Sequence, residues 1–136
     1  MEPFVRRFVR SSLAWLGVGV LIGVWMSIDA RAVAYRPAHM HANLLGFVSM
    51  MIFGVAYHVL PRFSGRPLRS RASAVAHLWL ANAGLALMVG GWVMRPDVAA
   101  VARCALIAGG LASATGAFLF IGNIWLTLGE PPSRPA

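Results

Sequence analysis

The sequence predicts an all-α integral membrane protein, a bundle of four helices that run up and down across the bilayer. Hydrophobic residues make up 59% of the 136 residues and charged residues only 12%, whereas a soluble domain normally carries about a quarter of charged residues. Each apolar stretch has the roughly 18–25 residues that a helix needs to cross a ~30 Å hydrocarbon core. The stretches without Asp, Glu, Lys or Arg are 11–28, 38–61, 72–94 and 104–129.

Prolines and tryptophans help to place the ends of the helices. Pro37 suits the first turn of the second helix, and Pro61 is expected to end it. Trp15 and Trp25 are expected near the two ends of the first helix, where indole rings prefer the membrane interface. This first apolar run is longer than the core of a signal peptide, so we expect it to be retained. Residues 1–136 then form one transmembrane domain with helices at about 11–28, 38–61, 72–94 and 99–128.

The basic residues indicate how the helices are oriented. All twelve are arginines that lie between the apolar stretches, so the net charge of +8 reflects membrane topology and no nucleic-acid partner is expected. Eight of them precede the first helix, lie between the second and third helices, or lie in the tail (Arg134). The other four lie in the connections between the first and second helices and between the third and fourth. Because cytoplasmic segments carry the excess of arginine, we expect both termini of this multi-pass protein to lie in the cytoplasm. The expected location is the inner membrane of a bacterium.

Four histidines are unusual in so apolar a chain, because an ionisable side chain inside a span is costly and is usually paired or functional. Residues two apart point about 200° from each other on a helix, so His39 and His41 cannot bind the same iron. His58 lies 17 positions after His41, about 25 Å along the helix axis, and matches His77 in depth. The simplest interpretation of an isolated histidine is a hydrogen bond to a neighbouring helix.

His39 and His41 together offer two imidazoles at the outer end of the second helix, with no third histidine at that depth. If copies of the chain form a ring, His39 of one subunit can face His41 of the next and hold a haem iron between them. A site that uses Met88 or Met94 as a haem ligand, and an inner pair of His58 and His77, are weaker alternatives. The His39-Met40-His41 segment also has donor types suitable for copper.

Three segments around the histidines form a distinctive combination. They are Ala38-His39-Met40-His41, the run 54–65 with Pro61 and a Phe-Ser-Gly turn, and Ala76-His77-Leu78-Trp79. Over about residues 36–92 the chain therefore resembles the tenth and eleventh helices of the catalytic subunit (subunit I) of the haem-copper oxidases. As the resemblance implies, His39 takes the position of a high-spin haem ligand and His41 that of a low-spin haem ligand.

The resemblance also implies an assembly. The oxidase subunit has twelve helices in three arcs of four, and this chain has the helices of one arc. In the family, the second ligand of the low-spin haem is a histidine at the start of another helix. That helix holds a place in its arc equivalent to the place of the second helix here. A homotrimer would therefore rebuild a threefold version of the oxidase core. The family's copper site has no counterpart here, so we expect no copper and no reduction of oxygen to water.

Polar residues near the histidines complete the predicted site. Arg36, Arg95 and Arg103 lie at the outer ends of helices, where a guanidinium could pair with a haem propionate, although such arginines also anchor helices at the interface. Asn43 lies one turn beyond His39 and could hydrogen-bond an imidazole or join two helices. Cys104 is the single cysteine, which excludes a disulfide within the chain and a cysteine-based metal cluster.

The function that these residues favour is a b-type cytochrome that carries electrons in the membrane, because two axial ligands leave no open position on the iron. Its expected cofactor is haem b, and its expected partners are lipid, other copies of the chain, and a redox protein or quinol. A haem protein that binds nitric oxide or oxygen is one alternative, and a cofactor-free assembly partner of a larger oxidase is another. The sequence does not decide whether the chain is an enzyme.

The topology can be tested with reporters. A reporter that is active only outside the cytoplasm should be inactive when fused to the C-terminus and active when inserted in the connection between the third and fourth helices, because arginine is scarcer there. A cytoplasmic fluorescent reporter at the same two sites should give the opposite pattern. Outside activity at the C-terminus would reverse the orientation and place His39 and His41 at the cytoplasmic face.

Overall fold

The computed structural model describes residues 1–95 and 97–129, so Arg134 lies outside the described residues. These residues contain four helices that are long and apolar enough to cross a membrane and no strand, which confirms the all-α prediction. The first to fourth helices are Pro3–Ile28, Ala30–Phe63, Arg71–Met94 and Ala99–Gly129. We call the end formed by residues 25–41 and 92–103 the histidine end, and the opposite end, formed by residues 1–12, 58–73 and 120–129, the basic end.

The first helix begins at Pro3 rather than near residue 11. Phe4, Val5 and Phe8 are buried in the core, while Arg6 and Arg7 beside them are exposed. The stretch without charged residues is therefore shorter than the helix itself, because the first turns of the helix bury apolar side chains on one face and present arginines on the other.

The longer first helix changes the position of Trp15. This residue lies in the middle of the helix, and its indole Nε1 donates a hydrogen bond to Asn82 Oδ1 of the third helix at 3.2 Å. The prediction that Trp15 lies near a helix end, at the membrane interface, is therefore wrong. Its N–H is satisfied inside the bundle, which is required of a polar group in hydrocarbon.

The second helix changes its winding along its length. A 3₁₀ turn at Ala30–Tyr35 leads into α-helix at Arg36–His41, then π-helix at Ala42–Ser49 and α-helix again at Met50–Phe63. Pro37 lies in the first α-helical turn, as predicted. Pro61 does not end the helix, which continues to Phe63 because the following turn still closes through the hydrogen bond from Ser64 N to Leu60 O at 3.0 Å.

Glycines bring the third and fourth helices into close contact. A Cβ atom built on Gly84 would lie 2.7 Å from Gly109 O, and a Cβ on Gly109 would lie 2.5 Å from Gly84 O. Ser113 of the fourth helix also lies against Gly84. Small residues at such contacts let helix backbones approach and gain van der Waals energy, which is one of the driving forces for helix association in lipid.

Hydrogen bonds fix the connection between the second and third helices to the end of the fourth. Ser70 N donates to Asn123 Oδ1 at 3.0 Å, and Asn123 Nδ2 donates to Ser70 O at 2.7 Å. Arg69 N donates to Thr127 Oγ1 at 3.0 Å. The hydroxyl of Ser70 also caps the third helix by accepting from Ser73 N. The basic end is therefore held together by side chains of the fourth helix.

Two adjacent glycines provide a matched test of this packing. Gly109→Ala should lower the free energy of unfolding by roughly 1–3 kcal/mol, because its methyl group would collide with backbone of the third helix. Within the described residues, no atom lies within 4 Å of the corresponding position at Gly110, so Gly110→Ala should be neutral or stabilising by up to ~1 kcal/mol. Thermal unfolding in detergent measures both, and equal melting temperatures for the two variants would contradict the packing.

Candidate functional site

His39 lies in a groove against the first helix. Its Nδ1 is 2.8 Å from the carbonyl oxygen of Gly19. A carbonyl can only accept, so Nδ1 carries the hydrogen and Nε2 keeps the lone pair that a metal requires. The ring also fits closely beside Gly23, where an added Cβ would lie 2.9 Å from the His39 Cε1 atom. The glycines of the first helix thus make room for this imidazole.

Asn43 contacts His39 from one turn further along the helix. Its Nδ2 donates to His39 O at 2.9 Å and lies 3.3 and 3.4 Å from the two ring nitrogens. The amide also packs against Gly19, where an added Cβ would come within 2.5 Å of it. Asn43 therefore helps to hold the second helix against the first and restricts the position of the His39 ring.

His41 faces a different neighbour. Its Nδ1 lies 2.7 Å from Pro37 O, so this imidazole also carries its hydrogen on Nδ1 and leaves the Nε2 lone pair free. Its ring centroid is 6.4 Å from that of Trp92 on the third helix, with the two planes inclined by 33°. The two histidines therefore face the first and the third helix respectively, as their spacing predicts.

A cleft of about 350 Å³ lies at the histidine end, lined by Ala34, Pro37, Trp92 and Arg95. The guanidinium carbon of Arg95 lies 5.0 Å from the centre of the Trp92 ring, within the range of a cation–π interaction. This contact places a positive charge beside the aromatic neighbour of His41. Sequence analysis did not identify Trp92, although a tryptophan in the last turn of a span was the available signal.

Two further arginines were predicted to contribute to this end of the bundle. Arg36 begins the α-helical segment that carries both histidines, and Arg103 lies on the first turns of the fourth helix. Both side chains are exposed. Their charges are available to an anionic group outside the bundle.

The weaker ligand candidates have other partners. His58 Nδ1 lies 2.8 Å from Nη1 of Arg62, one turn along the same helix. The sulfur of Met88 accepts a hydrogen bond from the Ser113 hydroxyl at 3.7 Å and lies within the contact between the third and fourth helices. These contacts give both residues local structural roles.

His77 belongs to a buried aromatic cluster near the basic end. It is 0% exposed, and its ring centroid lies 4.6 Å from that of Phe53 and 5.0 Å from that of Phe8. Its Nδ1 is 3.1 Å from Tyr57 Oη, and its Nε2 has no hydrogen-bond partner among the residues that the structure describes. Phe120 of the fourth helix also lies 5.7 Å from the His77 ring, measured between ring centroids, so this enclosed ring has a packing role that joins all four helices.

The π-helical segment Ala42–Ser49 directly follows His41. Its wide winding is accompanied by a hydrogen bond from Ser49 Oγ to Leu44 O, five residues back, at 2.9 Å. Such segments are frequent at functional sites because they reorient the side chains on either side of them. No proline or charged residue in the segment predicts this change, and the sequence analysis missed it.

No group of three or more His, Cys, Asp or Glu side chains converges within residues 1–95 and 97–129. The four histidines also have different neighbours. Any metal at the histidine end would therefore take only one or two ligands from a single chain and would need the others from a cofactor or another subunit.

Residues 30–105 match the family of Cytochrome C and Quinol oxidase polypeptide I. The matched segment includes the second and third helices and therefore His39, His41, Trp92 and Arg95. The chain belongs to this family. The resemblance to subunit I of the haem-copper oxidases is thus confirmed.

Individual relatives are bacterial oxidase subunits. The chain is 32% identical over 96 residues to the Cbb3-type cytochrome c oxidase subunit CcoN1 of Stutzerimonas stutzeri. This matched region covers 65% of this chain and 20% of the relative. It is also 32% identical over 99 residues to the cytochrome c oxidase subunit 1 of Rhodobacter capsulatus, with 68% and 18% covered. The matched part is therefore about a fifth of each relative's length. Together with the four apolar helices, these relatives identify a multi-pass bacterial membrane protein.

The Tyr57–His77 contact should stabilise the fold. Tyr57→Phe removes the partner of His77 Nδ1 and leaves a buried imidazole without a hydrogen bond on either nitrogen, so the free energy of unfolding should fall by about 1–3 kcal/mol. Tyr35→Phe serves as the control, because Tyr35 stacks on Trp25 through its ring. Thermal unfolding that shifts equally in both variants would contradict a structural role for the hydroxyl of Tyr57.

Proposed function

We propose that the protein is a membrane b-type cytochrome that binds haem b through His39 and His41 and transfers electrons. The observation that carries the proposal is the hydrogen bonding of the two imidazoles. Each has its Nδ1 on a backbone carbonyl oxygen, the arrangement that orients a metal-binding histidine and leaves Nε2 as the ligand atom. Family membership supports the same cofactor, since the match covers both histidines.

The two histidines serve different haems in this proposal, because His39 faces the first helix and His41 faces the third. Each chain then supplies one ligand to the haem on either side of it. In a closed ring, every haem would be held by two histidines, one from each neighbouring subunit. We favour a homotrimer, because three copies of four helices match the twelve helices of the oxidase subunit that the sequence resembles.

The residues around the histidines are suited to a haem. Trp92 offers an aromatic face beside His41, and Arg95 places its guanidinium over that ring. Arg95, with the exposed Arg36 and Arg103, supplies charge for the propionate groups of a haem. In the proposed topology these residues lie at the outer face of a bacterial inner membrane, with both termini in the cytoplasm.

With His39 and His41 as its ligands, a bound haem would supply an iron that changes oxidation state without binding substrate. The protein's own contribution is to fix the two imidazoles. The carbonyls of Gly19 and Pro37 orient the rings, and the close fit of His39 beside Gly23 limits its movement. Electrons would come from or go to a redox protein or quinol in the same membrane.

Single substitutions test the ligands. His39→Ala or His41→Ala should abolish the low-spin haem spectrum or convert it to a high-spin one, because each removes an axial nitrogen from every haem in the ring. His58→Ala is the matched control, since His58 bonds to Arg62 on its own helix and should leave the spectrum unchanged. Optical spectra of the oxidised and reduced protein measure both effects. Loss of the signal in the His58→Ala variant alone would indicate that the haem lies at the basic end.

Mixed assemblies test whether haem is shared between subunits. His39→Ala chains alone and His41→Ala chains alone should lack six-coordinate haem. When the two variant chains are co-expressed with different tags, mixed assemblies can be purified through both tags in turn. These assemblies should regain part of the low-spin signal, because some interfaces join an intact His39 to an intact His41. No recovery in a verified mixed assembly, with both chains folded, would argue against ligands from neighbouring subunits.

A further inference from the structure

A second cleft, of about 360 Å³, lies at the basic end, between the start of the first helix and the connection that follows the second. Its lining includes the apolar side chains of Phe4, Pro61 and Leu68. Arg62, Arg66 and Arg71 also line it, together with Glu2. The cleft therefore combines apolar surface with three arginines and one carboxylate.

The cleft has an excess of positive charge. Glu2 Oε1 pairs with Arg71 Nη2 at 2.8 Å, so the single carboxylate of the cleft balances one of its three arginines. Within the part of the chain that the structure describes, Arg66 contacts the carbonyl of Leu128 at 3.5 Å and Arg62 contacts the carbonyl of His58. These carbonyls are neutral, so two of the three guanidinium charges are not balanced by them and are available to an anion.

The location of the cleft favours an anion that belongs to a lipid. The first and third helices begin at the basic end and the second and fourth end there, so the helix dipoles largely cancel and the arginines are the source of the positive charge. The cleft also lies where the apolar helices end, which is the depth of phospholipid headgroups. Phe63, which is 86% exposed beside Arg62, offers apolar surface for an acyl chain.

We propose that this cleft binds the phosphate group of an anionic phospholipid, with Arg62 and Arg66 as its principal contacts. Guanidinium groups bind phosphate oxygens through charge-assisted hydrogen bonds. A phosphate in the cleft would join the end of the second helix to its following connection and to the start of the first helix. The site lies at the end of the bundle opposite His39 and His41 and does not depend on the proposed haem.

Native mass spectrometry of the full-length protein in detergent can test the site. The protein is titrated with phosphatidylglycerol and, separately, with phosphatidylcholine. Wild type should bind phosphatidylglycerol on the order of tenfold more tightly, and Arg62→Gln/Arg66→Gln should lose most of this preference, since each arginine near a membrane surface contributes an attraction of this order. Arg6→Gln/Arg7→Gln removes the same charge at the same end, outside the cleft, and should keep the preference.

Three results would overturn the proposal. One is an unchanged preference in Arg62→Gln/Arg66→Gln, and another is an equal loss in Arg6→Gln/Arg7→Gln, which would reflect overall charge alone. The third is displacement of phosphatidylglycerol by millimolar inorganic phosphate, which would make free phosphate the ligand. If the double cleft variant does not fold, the single variants Arg66→Gln and Arg6→Gln are compared in the same titration, with the same expected contrast. Haem spectra, recorded in parallel, should be unaffected.

Discussion

Hydrocarbon offers no hydrogen-bond partners, so polar side chains within the four helices must find partners inside the protein. Trp15 of the first helix bonds to Asn82 of the third, and Tyr57 of the second bonds to His77 of the third. Asn123 of the fourth helix holds the connection at Ser70. Each bond joins two parts of the chain, so the same requirement that satisfies these groups also fixes how the helices pack.

The site at the histidine end follows from the same requirement. Both imidazoles use Nδ1 to bond to a backbone carbonyl, Gly19 O for His39 and Pro37 O for His41. Glycines in the first helix let the His39 ring and the Asn43 amide approach closely. Each imidazole is thereby held in one orientation. These bonds leave the Nε2 lone pair of His41 unused, whereas Nε2 of His39 also has the Asn43 amide nitrogen at 3.4 Å, a contact that a metal at His39 would replace. Such preorganisation is what metal ligands require, and it connects the packing of the bundle to the proposed haem.

Much of this arrangement could be predicted from the sequence. Apolar stretches predict four helices, Pro37 marks an early turn, and the spacing of His39 and His41 gives them different neighbours. Charge-free runs could not show that the first helix extends to Pro3, because its arginines lie on an exposed face. The partner of Trp15 and the π-helix at Ala42–Ser49 depend on packing between helices, which local sequence preferences do not encode.

The central claim is that a haem is held between copies of this chain by one histidine from each. The most direct measurement is the detergent-corrected mass of the purified protein, combined with its haem content and the optical spectrum of the same fraction. The account predicts an assembly of three chains with up to three six-coordinate haems, and no haem in any separated monomer. A monomer that carries six-coordinate haem would contradict it.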